Sequence, residues 1–217
     1  LLNKNWNQIY ISGTNRSKLE ELIQLHSNKD SNLYWGAYDL SKHVNVKHLI
    51  SDVRKKIGEI EILINCAGIF TQFSIKETDD NELIKCLNLN FIASYLLSRE
   101  FVKEMTQKKW GRIINIGSSS AYYGFKNTTA YCASKHALLG FSKALHDEVK
   151  EFNIKVMCIS PSSTKGSQRI PPRILAAVTS SPRALISSFL SSESICTTFC
   201  ITADFPLRGK PVIPIFG

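Results

Sequence analysis

Short apolar runs alternate with longer amphipathic stretches along most of this 217-residue chain. Short runs rich in β-branched residues are typical of buried strands, whereas apolar residues at intervals of three and four predict helices. The pattern predicts strands at residues 8–12, 33–38, 61–65, 112–116 and 154–160, and helices at 16–26, 44–57, 80–107 and 130–151. Because strands and helices alternate, we expect an α/β fold with a doubly wound, Rossmann-like parallel sheet.

The polar residues that could carry chemistry follow the predicted strands or lie on helices that face the strand ends. They are Asp39, Asn65 to Gly68, Ser118, Tyr131, Lys135 and Pro161. Ligands of such sheets bind beyond the carboxyl ends of the strands. The sequence therefore predicts a single site at this edge.

Tyr131 and Lys135 are four residues apart on a predicted helix, so their side chains lie on the same face. A phenol titrates near about 10, and a neighbouring ammonium lowers that pKa, which would make the tyrosine a general acid or base. Ser118 follows a predicted strand, where its hydroxyl could hold a substrate carbonyl. The tyrosine–lysine spacing alone is a weak signal, because an exposed lysine beside a half-buried tyrosine is common.

Together with Asn65-Cys66-Ala67-Gly68 and Asn90, these residues resemble the short-chain dehydrogenase/reductase family, and the similarity extends over about three quarters of the chain. The resemblance implies an oxidoreductase that transfers a hydride between a nicotinamide cofactor and a carbonyl or alcohol substrate. By this resemblance, Ser118 would position the carbonyl oxygen of the substrate, and Tyr131 would donate a proton to that oxygen. Lys135 would assist the tyrosine and bind the nicotinamide ribose, and Asn90 would connect a proton relay to solvent. Asn88 is the alternative to Asn90.

The resemblance also implies cofactor contacts. The backbone of Asn65, Cys66, Ala67 and Gly68 would approach the ribose, and Tyr131, Lys135 and Pro161 would contact the nicotinamide end. Asp39, with Leu40 after it, would meet the adenine. A carboxylate at the start of a helix is the structural alternative for Asp39.

The choice between NADP and NAD depends on the turn after the first predicted strand. This turn contains Thr14, Asn15 and Arg16 but no carboxylate. An acidic residue there would bind the ribose hydroxyls of NAD, whereas a basic residue suits the 2′-phosphate of NADP. The turn favours NADP, with Arg16 as the phosphate partner.

The sequence departs from the family at both ends. The family's first strand and its glycine-rich loop are missing, and that strand would lie in the middle of the sheet. We therefore expect the strands at 8–12 and 33–38 to lose their link to the strand at 61–65, and a dinucleotide to bind poorly. Residues 1–166 are expected to form a partial dinucleotide-binding domain. Residues 167–217 are proline-rich and are expected to form an irregular or partly disordered tail without the family's last strand.

Composition changes this interpretation little. The net charge of +9 comes from scattered lysines, so we expect no nucleic-acid partner. There is no apolar run long enough to span a membrane, and we expect no membrane partner. The six cysteines show no metal-binding spacing, so we expect no metal and reduced thiols in a cytoplasmic protein.

Two other functions stay open: a truncated remnant without catalysis, and a module that senses a cofactor on the same fold. All four catalytic positions are filled, which a sensing module would not require. Family members form dimers or tetramers through the helices that bear Asn90 and Tyr131, and the resemblance implies a homo-dimer or homo-tetramer here.

Overall fold

The computed structural model describes residues 6–26, 32–160 and 198–203. Its strands are β1 (Trp6–Gly13), β2 (Asn32–Ala37), β3 (Ile62–Asn65), β4 (Gly111–Ile116), β5 (Ile154–Ile159) and β6 (Thr198–Ala203). Its helices are α1 (Arg16–His26), α2 (His43–Ile57), α3 (Asp80–Leu87), α4 (Ala93–Lys108) and α5 (Thr129–Val149), with a π-helical turn (Asn88–Ile92) and short 3₁₀ helices (Ser119–Ala121 and Lys150–Phe152). Within these ranges no helix is both long and apolar enough to cross a membrane.

The strands form one sheet in the order β2-β1-β6-β3-β4-β5. The pairs β1–β2, β3–β4 and β4–β5 are parallel, whereas β6 runs antiparallel to both of its neighbours. The predicted doubly wound α/β fold is therefore confirmed, and β1 to β5 lie where the apolar pattern places them.

Alternate residues of each strand face opposite sides of the sheet, and both sides are covered. On one side Tyr10, Leu63 and Ile113 pack in a cluster with residues of α2, α4 and α5. On the other side Ile64 and Ile114 belong to a second cluster, which includes Leu19 of α1. Because both faces are buried, the strands are nearly continuous apolar runs, as is typical of parallel sheets.

Strand β6 lies at the centre of the sheet, between β1 and β3. Ile201 is opposite Ile9 on one side and Ile62 on the other, and Thr198 is opposite Ser12 and Asn65. The prediction that β1 and β2 lose their link to β3 is therefore wrong, because β6 joins them.

Strand β6 belongs to the tail that was expected to be irregular, so that prediction is wrong for residues 198–203. The rest of the tail and Pro161 lie outside the described residues. Since β6 is antiparallel, it begins at the edge where β1 and β3 end. A phosphate-binding helix at this position would have to follow a central strand that ends at that edge. Strand β6 occupies the central position but begins at that edge.

The predicted helix over residues 80–107 is divided by the π-helical turn. Asp79 caps α3 by accepting a hydrogen bond from the Glu82 backbone N–H at 2.8 Å. The π-helical turn then inserts an additional residue into the helical path, and Asn90, in this turn, is completely buried. Such turns are frequent at functional sites.

Candidate active site

Ser118 lies just beyond β4, at the carboxyl edge of the sheet. The Gly117 N–H donates to the Ile159 carbonyl at 2.7 Å, and a Cβ on Gly117 would lie only 2.7 Å from Ser160 Oγ. Glycine therefore allows the chain to turn close beside β5. Ser118 Oγ accepts a hydrogen bond from the Ser120 N–H at 3.1 Å and caps a short 3₁₀ helix. Its own hydrogen can be donated to a ligand.

Tyr131 and Lys135 lie in the first two turns of α5, beside the end of β4. Lys135 is 5% exposed, and its Nζ donates to the Ile116 carbonyl at 2.9 Å. The same Nζ is 5.8 Å from the centroid of the Tyr131 ring. Because Ile116 is two residues before Ser118, this hydrogen bond brings the lysine, the tyrosine and the serine-bearing loop together.

Asn90 links the loop after β3 to α5. Its Oδ1 accepts from the Ile69 N–H at 2.7 Å, and its Nδ2 donates to the Ile69 carbonyl at 3.0 Å and to Ser134 Oγ at 2.9 Å. A Cβ on Gly68 would lie 3.0 Å from Asn90 Oδ1 and 3.6 Å from Lys135 Nζ. Gly68 therefore lies between the two side chains, and Asn90, rather than Asn88, is the asparagine that reaches the site.

Sequence reasoning missed Ser134 and Phe70. Ser134 is completely buried and donates to the Tyr131 carbonyl at 2.7 Å while it accepts from Asn90. Its position three residues after Tyr131 is a usable signal, because it shares the helical face. Phe70 meets the Tyr131 ring edge-on at 4.9 Å. Its position after β3 gave no signal for this contact.

Replacing Ser134 by alanine is expected to lower the free energy of unfolding by about 0.5–1.5 kcal/mol, because Asn90 Nδ2 loses one buried hydrogen bond and keeps those to the Ile69 carbonyl and Cys86 Sγ. We also expect a lower kcat and an altered pH profile of kcat, since Asn90 is no longer tied to the Tyr131 turn. Urea denaturation and steady-state kinetics would measure both effects.

Ser142→Ala is the matched control for Ser134→Ala. Ser142 Oγ likewise accepts from an asparagine, Asn115, at 2.8 Å and donates to a carbonyl of its own helix, that of Leu138, at 2.7 Å. The Ser142→Ala variant should lose a similar amount of stability and keep the wild-type pH profile of kcat. An equal change of that profile in both variants would contradict a positioning role for Ser134.

The turn after β1 carries Thr14, Asn15 and Arg16 at the same edge, but β6 and β3 separate β1 from β4. Asn15 Oδ1 accepts from the Lys18 N–H at 3.0 Å and so caps α1. The Arg16 guanidinium lies over the Trp35 ring, 5.3 Å from its centroid. Thr14 is exposed. The structure therefore does not bring these three residues to Tyr131.

Asp39 and Leu40 follow β2. Asp39 Oδ1 accepts from the Ser41 hydroxyl at 2.6 Å and from its N–H at 3.1 Å, so the carboxylate orders the turn before α2. Leu40 is 4% exposed and packs in the core. The structural alternative for Asp39 is therefore present, and the Leu40 side chain is part of the core.

The hydrogen bonds from Ser41 lower the pKa of Asp39, assisted by Lys42 and Lys85, while burial opposes this shift. A lowered carboxylate pKa in the folded state contributes stability above the unfolded pKa, and this contribution is lost as the pH falls through the folded pKa. We expect Asp39→Asn to be less stable than the wild type at neutral pH, with the difference shrinking below about pH 4. Thermal melts over a pH series would measure it.

The control is Asp147→Asn, since Asp147 is exposed and bonded to Lys150. That pair lies away from the sheet edge, and exposed pairs contribute little. A pH-independent gap between Asp39→Asn and the wild type would contradict the role of ionised Asp39.

The loop after β3 begins at Asn65 and runs to Gly68, beside Lys135. Asn65 is buried, and its Nδ2 donates to Asn115 Oδ1 at 2.8 Å and Ser98 Oγ at 3.3 Å, so this side chain braces the sheet. The small residues Cys66 and Ala67 then lead to Gly68 beside Lys135. Strand β6 enters the sheet at this edge, so among the described residues no helix follows it there.

A doubly wound sheet with serine, tyrosine and lysine at its carboxyl edge defines a dinucleotide-binding type of α/β protein. The family model for short chain dehydrogenase matches residues 1–171. The chain therefore belongs to the short-chain dehydrogenase/reductase family, and the resemblance inferred from the sequence is confirmed.

Relatives and solved structures agree with this assignment. The chain is 34% identical over 165 residues to the 3-oxoacyl-[acyl-carrier-protein] reductase FabG of Rickettsia typhi, covering 76% of this chain and 66% of that protein. It is 31% identical over 144 residues to the 3-ketodihydrosphingosine reductase of Mus musculus, covering 65% of this chain and 43% of that protein. A short-chain dehydrogenase from Streptomyces avermitilis superposes with a TM-score of 0.66 at 25% identity, covering 71% of this chain and 56% of that one. The chain thus spans two thirds or less of these proteins.

Proposed function

We propose that this chain carries the catalytic part of an NAD(P)-dependent oxidoreductase that acts on a carbonyl or alcohol of a small molecule. The observation that carries the proposal is the Lys135 ammonium, which lies 2.9 Å from the Ile116 carbonyl and 5.8 Å from the Tyr131 ring centroid, beside the loop with Ser118. A general acid, a cation and a hydroxyl donor at one edge suit proton transfer to a carbonyl oxygen.

In the reducing direction, Ser118 donates a hydrogen bond to the substrate carbonyl and orients it. Tyr131 transfers its phenolic proton to the carbonyl oxygen, and the positive charge of Lys135 stabilises the phenolate that remains. Asn90 holds the loop after β3 against α5. The nicotinamide, when bound, supplies the hydride to the carbonyl carbon or accepts it in the reverse reaction.

We propose NADP as the cofactor in preference to NAD, because the turn after β1 carries Arg16 and no carboxylate. NADPH and NADH titrations, followed by nicotinamide fluorescence, test this preference. We expect tighter binding of NADPH and a loss of that preference in Arg16→Ala. Equal affinities would overturn the assignment of Arg16.

The second candidate is a remnant that binds no cofactor. It is favoured by the direction of β6, which begins where a phosphate-binding helix would follow a strand. Absence of NADPH binding at millimolar concentration would support this candidate, whereas NADPH oxidation with any carbonyl compound would exclude it.

We also propose a homo-dimer or homo-tetramer in the cytoplasm. The rings of Phe91 in the π-turn and Tyr95 in α4 lie 6.0 and 5.1 Å from the Phe141 ring of α5, and Tyr95 remains exposed. Within the described part of the chain, Cys66, Cys86, Cys132 and Cys158 form no disulfide, as suits a reducing compartment. Light scattering would measure the assembly.

A further inference from the structure

The Arg16 guanidinium lies over the Trp35 ring, 5.3 Å from its centroid, near the carboxyl edge of the sheet. Arg16 is the first residue of α1, which follows β1, and Trp35 of β2 is opposite Ile11 of β1. Trp35 is two residues before the end of β2 at Ala37. The stack therefore holds the guanidinium beside the turn that joins β1 to α1.

This stack leaves the hydrogen-bond donors of Arg16 available. A guanidinium stacks through its face, whereas its five N–H donors lie in its plane. Elsewhere in the part of the chain that the structure describes, Arg54 and Arg99 pair with carboxylates, and Arg112 donates to two backbone carbonyls. Within the same ranges neither Glu20, one helical turn later, nor any carbonyl binds the Arg16 guanidinium. Its donors are thus available to a ligand.

The Trp35 ring is fixed from both faces of the sheet. It packs against the cluster that includes Leu19 of α1. The Trp35 carbonyl accepts from Lys56 Nζ at 3.1 Å, and the same Nζ donates to Asp52 at 3.0 Å. The Asp52 carboxylate also accepts from the hydroxyl of Tyr10, which is completely buried. A ring that is fixed in this way can hold a long, flexible side chain in one place.

The charges around the stack favour an anion. A cavity of about 600 Å³ opens along β2, and Arg16, Trp35, Asp52 and Lys56 are among the residues that line it. Asp52 is the acid in this lining, and it is already paired with Lys56. The Arg16 charge is therefore the one that no lining residue balances. The first turn of α1 carries no acidic residue, so the positive end of the helix adds to this charge.

We propose that Trp35 is a positioning residue that sets the preference for NADP, because it holds the Arg16 guanidinium ready to bind the 2′-phosphate. The inference rests on the proposed cofactor preference and adds the residue on which that preference depends. While one face of the guanidinium stays on the ring, two parallel N–H groups donate to two phosphate oxygens, which is the bidentate geometry of arginine–phosphate pairs. Trp35 acts through Arg16 and not by contact with the phosphate.

The expected effect follows from the strength of the stack. An arginine over an exposed aromatic ring gains a free energy that corresponds to about a two- to fivefold change of an equilibrium constant. Without the ring, the Arg16 side chain occupies other rotamers and loses that freedom only when the phosphate binds. The affinity for NADPH should fall by this factor, whereas the affinity for NADH, which has no 2′-phosphate, should stay the same.

Titrations of the full chain with NADPH and with NADH, followed by nicotinamide fluorescence, test the inference. We expect Trp35→Leu to reduce the ratio of the two affinities about two- to fivefold, through NADPH alone. Trp35→Val, which suits a strand, is a second variant without a ring and should behave in the same way. Trp35→Phe keeps a ring under the guanidinium and should retain most of the wild-type ratio. An unchanged or larger ratio in the variants without a ring, or an equal loss of affinity for both cofactors, would overturn the proposal.

Trp110→Leu is the matched control, because Trp110 also carries a stacked arginine. The Arg112 guanidinium lies 4.5 Å from the centroid of the Trp110 ring, at the start of β4 and so at the opposite edge of the sheet. Trp110→Leu should keep the wild-type ratio of affinities, and circular dichroism checks that all variants fold. A fall of this ratio equal to that in Trp35→Leu would overturn the specific role of the Trp35 ring.

The Arg16→Ala variant and assays of NADPH oxidation separate this inference from the proposed function. A preference for NADPH that depends on both Arg16 and Trp35, without turnover of any carbonyl compound, supports the inference and contradicts the oxidoreductase. Turnover with a preference that Arg16→Ala removes and Trp35→Leu retains supports the proposed function and overturns the inference. Equal affinities of the wild type for NADPH and NADH would overturn both the assignment of Arg16 and the role of Trp35.

Discussion

Replacing Tyr131 by phenylalanine is expected to reduce the rate of carbonyl reduction by about 10²–10⁴-fold, the usual contribution of a general acid. The substitution removes one hydroxyl and keeps the ring that meets Phe70 at 4.9 Å. The fold should therefore remain, and the effect should lie in kcat. Initial rates of NADPH oxidation would measure it, with thermal melts as the check on folding.

Tyr95→Phe is the control for this variant, because it makes the same chemical change at an exposed tyrosine of α4. Its rate should equal that of the wild type. Retained activity in Tyr131→Phe would contradict the role of the phenol. A parallel loss in Tyr95→Phe would show that the assay responds to something other than the proposed proton donor.

The periodicity of apolar residues was sufficient to predict β1 to β5 and the order in which helices follow them. Both faces of these strands are buried, so each strand is a compact apolar run that sequence alone reveals. The division at Asn88–Ile92 could not be seen, because a π-helical turn changes the path of the helix without a local change of pattern. It is set by the buried contacts of Asn90 with Ile69 and Ser134.

Strand β6 was missed for a different reason. Its sequence, Thr-Phe-Cys-Ile-Thr-Ala, has the β-branched and aromatic residues that favour a strand, and this signal was available. Its partners, β1 and β3, are far away in the sequence. Local pattern gives no information on such pairing. The other strand pairs that the structure describes are parallel, so they gave no reason to expect an antiparallel strand between them.

The candidate site was predictable where it depends on spacing. Four residues separate Tyr131 from Lys135, and helical geometry alone places them on one face. The spacing could not reveal that the Lys135 ammonium bonds to the Ile116 carbonyl, because that contact joins a helix to a strand end. Asp39 shows the opposite case, since its bonds to Ser41 are local and fit both interpretations made from sequence.

Replacing Ile201 by proline is expected to unfold the protein or to lower its free energy of unfolding by about 3 kcal/mol or more. Proline removes an N–H from the ladder and clashes within a central strand. Ile201 is opposite Ile9 of β1 and Ile62 of β3, so the substitution disrupts the strand that connects β1 and β2 to β3, β4 and β5. Since domains are stable by only about 5–15 kcal/mol, this is a large fraction of the total. Urea denaturation followed by far-ultraviolet circular dichroism would measure it.

Ile201→Val is the control, because valine keeps the N–H and the β-branched shape and should shift the denaturation midpoint little. Strand β6, which connects the two parts of the sheet, should also matter for ligand binding. The turn with Arg16 lies on the β1 side of β6, whereas Gly68 and Tyr131 lie on the β3 and β4 side, so a ligand that spans both needs β6 in place. Ile201→Pro should therefore lose NADPH binding together with stability. A variant that keeps the wild-type midpoint would show that the two halves are held together without β6.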